Sequence, residues 1–231
     1  MFFLSRPRRF GKSLLLSTLE AYFEGKKELF AGLAIEQLEK DWKQYPVLHL
    51  DLNTQEYNSV DSLKEKLNIA LTEWEKDCGV EPAEKSLATR FEGIIKRTSR
   101  KMGQRVVILI DEYDKPMLQA IGRPELQEAY RSLLKSFYGA LKSADGYIRF
   151  AMLTGVTKFS KVSVFSDLNN LDDISMRNAY VEICGVSERE IHENLEAELH
   201  EFAEAQELTY EALCSRLKEN YDGYHFTHNS I

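Results

Sequence analysis

The stretch QRVVILIDEYDKP, residues 104–116, limits the fold of this 231-residue chain more than any other. Val106 to Ile110 form an unbroken apolar run with no polar alternation, and acids follow at once. Such a run suits a strand buried on both faces, which is the habit of parallel sheets flanked by helices. The surrounding pattern agrees. Short apolar segments at residues 2–4, around Val47–Leu52 and in YIRFAMLTGVTKF read as further strands, with AYVEICGVS as a short fifth. Between them, helical spacing runs over about 61–77, 84–102 and 124–143. The first of these puts Leu63, Leu67, Ala70, Leu71 and Trp74 on one face. Alternating strands and helices predict a three-layer α/β domain with a parallel sheet over residues 1–185. Residues 186–231 read as a small helical subdomain that opens on the S-x-x-E capping box of Ser187 and Glu190.

The start of the chain, FFLSRPRRFGKSLLLSTLEAYF, places Gly11-Lys12-Ser13 between a strand end and a helix. Leu15, Leu19, Tyr22 and Phe23 fall at helical spacing there, and Gly25 supplies a stop. A helix N-terminus after a strand favours an anion. In this arrangement Gly11 lets the backbone approach phosphate oxygens, Lys12 reaches the β/γ-phosphates, and the Ser13 hydroxyl coordinates Mg²⁺. Phe10 and Leu14 complete the loop. Arg6 stands where the phosphate-loop pattern G-x-x-x-x-G-K-[ST] has its first glycine, and Pro7 fixes φ beside it. Arg8 and Arg9 either add charge near the phosphates or face water.

In the acidic strand end, Asp111 is the candidate to hold Mg²⁺, and Glu112 the candidate to orient and deprotonate an attacking water. Ligands of open α/β sheets bind at that carboxyl edge. Asp114 reads as a cap for the next helix. A third strand end presents Thr154, which can sense a γ-phosphate or help position water if its strand lies between the other two. Lys158 and Lys161 follow as sources of positive charge.

Composition excludes several classes. The net charge of −7 gives no support for a broad nucleic-acid face. Cys78, Cys184 and Cys214 fit neither a disulfide framework nor a zinc pattern, which suits a reducing cytoplasm. No apolar run reaches the length of a membrane span. The five histidines show no metal-ligand spacing, and His192 and His200 lie on a polar helix where solvated rings are expected. Ser160 and Ser163 have no His/Asp partner of the nucleophilic kind.

Together, RPRRFGKS, LIDEYDKP, LTGVTKFSKVSVFSDLNNLDDIS, ICGVSEREI and YDGYHF resemble the bacterial AAA-ATPase-like proteins, which often carry a C-terminal PD-(D/E)xK nuclease. The resemblance covers nearly the whole chain. It implies a P-loop NTPase fold with strand order 5-1-4-3-2, ATP and Mg²⁺ as ligands, and Arg6 as the family's own form of the loop. It further implies a module that governs an attached or recruited effector, such as a nuclease absent from this chain, with homo-oligomers among its partners. Relative to the family, the chain reads as shortened at both ends. YDGYHF reads either as a segment closing over the nucleotide or as a packed aromatic turn around Gly223. No D…E-x-K site is found here: Glu24-Gly25-Lys26 lacks a preceding acidic strand. The expected function is an Mg²⁺-dependent ATPase; the alternative is a nucleotide-gated switch or scaffold with little hydrolysis.

Overall fold

The computed structural model describes residues 1–157, 170–221, 224 and 226. The chain divides into two compact units, Met1–Ile174 and Ser175–Ile231. The first is built on a sheet of β1 (Phe2–Ser5), β2 (Val47–Asp51), β3 (Val106–Asp111), β4 (Ile148–Gly155) and β5 (Asp172–Asp173). All neighbours pair in parallel, in the order β2-β3-β4-β1-β5. Read from the opposite edge this is 5-1-4-3-2, but the fifth member is not the expected segment. Residues 179–187 do not form a strand, because turns take their backbone donors: Tyr180 N–H bonds Arg177 O at 2.9 Å and Ile183 N–H bonds Tyr180 O at 3.3 Å. The edge is instead the two-residue β5, flanked by bonds from Asp172 N–H to Met1 O and Ile174 N–H to Phe3 O.

Period-two alternation explains the layers. Val106, Ile108 and Ile110 of β3 join Leu48, Leu50, Ala151 and Leu153 in one large core. That face is covered by α3 (Val60–Cys78), α4 (Leu87–Met102) and α6 (Pro124–Ser143). Val107 and Leu109 are equally buried but point to the other face, where α1 (Lys12–Phe23) packs on β3. Every residue of β3 is buried, as its apolar run requires. Phe91 of α4 and Phe137 of α6 stack with centroids 4.6 Å apart and planes at 5°.

Local chemistry sets the helix ends. α3 starts at a reciprocal Ser59–Ser62 box and α4 at Ser86–Thr89. The latter begins three residues later than the periodicity suggests, because Glu84 is drawn off to Arg97, Nη1 to Oε1 2.6 Å. α1 is rotated from its expected face. Lys12, Leu16, Ala21 and Phe23 are the buried residues, while Leu15, Leu19 and Tyr22 are half-buried. Two short helices, α2 (Ala34–Leu38) and α5 (Lys115–Gln119), carry too few turns to show a period.

The second unit holds α7 (Glu188–Asn194), α8 (Glu196–Ala205) and α9 (Tyr210–Tyr221) around Leu199, Ala203 and Leu213. α7 opens on the expected Ser187–Glu190 box. His192 of α7 and the exposed His200 of α8 both meet Tyr210. His192 Nδ1 lies 2.7 Å from the Tyr210 hydroxyl, and the His200 ring stacks on Tyr210 at 4.4 Å. Among the described residues no helix is long and apolar enough to cross a membrane.

Candidate functional site

The loop after β1 turns later than a glycine at position 6 would make it. Arg6 N–H bonds Gly155 O at 3.1 Å, so the backbone at Arg6 still runs beside β4. Left-handed backbone is found instead at Arg9, φ 67°, and Gly11, φ 83°. Arg6 needs no glycine-like freedom, and its side chain is 1% exposed, with Nη1 donating to Ser5 O at 3.0 Å. Gly11 matters for conformation rather than space, since a Cβ there would meet nothing within 4 Å. Its carbonyl accepts the first bond of α1, from Leu15 N–H.

α1 therefore delivers Lys12 and Ser13 toward the ends of β3 and β4. Lys12 is buried, with Nζ 3.2 Å from Glu112 Oε1 and 3.2 Å from Pro7 O. The Ser13 hydroxyl donates to Asp111 Oδ2. The other carboxylate oxygen, Oδ1, accepts from Thr154 Oγ1 at 2.5 Å and from Glu112 N–H at 3.0 Å. This meeting depends on strand order, since β4 lies between β1 and β3. Glu112 itself sits at φ 51°, a left-handed conformation costing about 1–2 kcal/mol in a residue with a Cβ. Strain of this kind gathers at functional positions.

A cleft of about 340 Å³ opens here, lined by Arg8, Arg9, Gly11, Lys12, Ser13, Leu14, Asn53, Glu112 and Lys115. Of the loop residues singled out from the sequence, Phe10 does not line it. Asp111 and Thr154 stand behind the lining, and the buried Thr154 hydroxyl is engaged with Asp111 rather than presented to the cleft. Asn53 and Lys115 line the cleft without having been singled out. Lys158, Lys161, Ser160, Ser163, Gly223, His225 and His228 lie outside the described residues.

Asp114 corrects a simpler expectation. Its side chain makes no cap bond to α5. Buried at 1% exposure, it accepts from Val156 N–H, Thr157 N–H and Thr157 Oγ1, the last two at 2.8 Å. Tyr113 adds a bond from its hydroxyl to Thr157 O at 2.6 Å. The residues after the acidic strand thus clasp the chain leaving β4. Gly155 makes room for this, because a Cβ there would lie 2.4 Å from Tyr113 Cε1 and 2.7 Å from Asp114 Oδ1.

The donor set suits a hard divalent cation, one hydroxyl and one carboxylate in contact, with room for substrate oxygens. Among the described residues no cluster of three or more His, Cys, Asp or Glu could hold a metal by itself. A cationic loop at a helix start, a strand-end carboxylate on its serine and an acid on its lysine define a P-loop-like α/β protein. Residues 1–165 match the AAA-ATPase-like family, described as a predicted AAA-ATPase. The chain belongs to that family. A curated relative, "Uncharacterized protein in vnfD 5'region" of Azotobacter chroococcum mcd 1, is 43% identical over 191 residues. That match covers 82% of this chain and 37% of the relative, so the chain spans little more than a third of the relative's length. No solved structure matches the chain.

Proposed function

We propose that the chain is an ATP-binding, Mg²⁺-dependent ATPase module that governs an effector. The observation that supports it best is the convergence of Lys12 with Glu112, and of Ser13 with Asp111, at one cleft. Lys12 and the loop from Arg8 through Phe10 to Leu14 would hold the phosphates, and Ser13 and Asp111 the metal. Bound there, Mg²⁺ would neutralise phosphate charge. Thr154 keeps the Asp111 carboxylate in place by its hydrogen bond. Glu112 accepts a proton from water as the water oxygen bonds the γ-phosphorus. The bond to the bridging oxygen breaks, its electron pair leaves with ADP, and the proton passes to solvent. The effector (a nuclease, for example), homo-oligomeric assembly and a cytoplasmic setting rest on the family resemblance and the cysteine pattern.

Nucleotide binding and turnover by wild type, Lys12→Ala and Glu112→Gln test the assignment. Lys12→Ala should lose affinity, and Glu112→Gln should lose about 10²–10⁴ in rate. Equal ATP affinity in wild type and Lys12→Ala removes the site. The Lys12–Glu112 ion pair favours a second reading as well, a nucleotide-gated switch with slow turnover, because the base is engaged until phosphate claims the lysine. Tight binding without multiple turnover selects that reading.

A further inference from the structure

We propose that Lys115 is a catalytic cation of this same cleft, one that leaves a parking position on Asn53 to contact the γ-phosphoryl group. The inference rests on the ATPase reading above. Lys12 is already committed to Glu112 and Pro7 O. Lys115 is held differently. Its backbone N–H bonds Glu112 O at 2.9 Å, so the root of the side chain is fixed to the strained turn that carries the base. Its Nζ donates to Asn53 Oδ1 at 3.1 Å, and among the described residues no carboxylate pairs with it. Asn53 is held in turn by its N–H on Asp51 Oδ1 at 2.7 Å, just beyond the end of β2.

This geometry separates Lys115 from an ordinary surface lysine. It is half-buried and lines the cleft shared by Lys12, Ser13 and Glu112. It follows the end of β3 and its ammonium reaches Asn53, just beyond β2, whereas the phosphate loop follows β1, across β4. An ammonium resting on a neutral amide is released far more readily than one resting on a carboxylate. As water bonds the γ-phosphorus and the bridging oxygen leaves with its electron pair, the charge of the transferring group is spread over its three equatorial oxygens, at the end of the triphosphate that meets Glu112. A mobile point charge anchored beside Glu112 serves that end, and supplies within one chain a cation that other systems borrow from a partner.

The test uses Lys115→Ala and Lys115→Arg in the full chain. It measures Mg²⁺-ATP affinity, turnover, and affinity for ADP with aluminium fluoride, a mimic of the transferring group. Lys115→Ala should bind ATP as wild type does, lose about 10²-fold in kcat and in affinity for the mimic, and be rescued in part by arginine. The mimic is informative even where intrinsic turnover is slow. Unchanged affinity for the mimic, or a parallel loss of ATP and mimic binding, overturns the assignment of Lys115 alone. Failure of the wild type to bind Mg²⁺-ATP overturns the ATPase reading, and this inference with it.

Discussion

The Lys12 ammonium lies 3.2 Å from the Glu112 carboxylate, so each group occupies the partner that nucleotide chemistry would require of the other. Lys12 is buried and Glu112 only slightly exposed, so the two charges face each other with little water between them. Under the ATPase proposal, a phosphate entering the cleft would compete with Glu112 for Lys12. Binding and the release of Glu112 would then be one exchange.

Glu112→Gln should accordingly bind Mg²⁺-ATP more tightly than wild type even as it turns over more slowly. Even the upper value for an exposed ion pair, about 1 kcal/mol, is roughly fivefold in affinity, and this pair is more shielded from water. Titration calorimetry reads the difference. Weaker binding by the variant would show that Glu112 does not compete for Lys12.

Asp114→Ala removes the acceptor for two backbone N–H groups and a hydroxyl. Leaving buried donors without partners should cost about 2–4 kcal/mol of unfolding free energy. Asp114→Asn, which keeps one acceptor oxygen, should lose less. Urea unfolding of the three proteins checks the order, and a neutral Asp114→Ala would mean that the clasp contributes nothing to stability.

Gly155→Ala would push a methyl group into Tyr113 and Asp114. Overpacking at such a site costs about 1–3 kcal/mol. The reduction should appear in the melting temperature. If Tyr113→Leu relieves the strain of Gly155→Ala in a double mutant, the clash is located; strict additivity would place it elsewhere.

Glu75 and Arg90 tie α3 to α4 through two bonds, Nε to Oε1 at 2.8 Å and Nη2 to Oε2 at 2.7 Å. The Arg90 guanidinium holds the Glu75 carboxyl below its usual value near 4.5. A carboxyl depressed in the folded state stabilises above its unfolded value, and that contribution is lost as pH falls through the folded one. Glu75→Gln should therefore be less stable than wild type at neutral pH by about 1.5–3 kcal/mol. The gap should close below pH 4.5. Unfolding curves at several acidic pH values test it, and a constant gap would contradict the ion pair.

Much of this fold is legible in residue order because its strongest signals are local. The apolar run of β3 declares a covered strand, and the Ser187–Glu190 spacing declares a helix start. Lys12, Ser13, Asp111 and Glu112 could be singled out because their residue types stand at strand ends, where sheet geometry gathers them. Asp114 could not, since its acceptors' partners lie more than forty positions away and the preceding helix-cap logic offers a simpler reading. β5 escaped for a similar reason: two aspartates make a strand only by pairing with β1. Lys115 and Asn53 share a cleft because β2 and β3 are neighbours, a fact that neither residue's surroundings reveal. The face that α1 buries, Lys12, Leu16, Ala21 and Phe23, is likewise not the one that Leu15, Leu19 and Tyr22 suggest.

β4 standing between β1 and β3 has a mechanical result. Adjacent strands keep a separation of about 4.8 Å, so the loop arm and the acid arm spring from roots about 9.6 Å apart. That width is a gauge set by backbone ladders and cannot be tuned by loop sequence. The strand ends from which the two arms spring will therefore keep this spacing for as long as the sheet is intact.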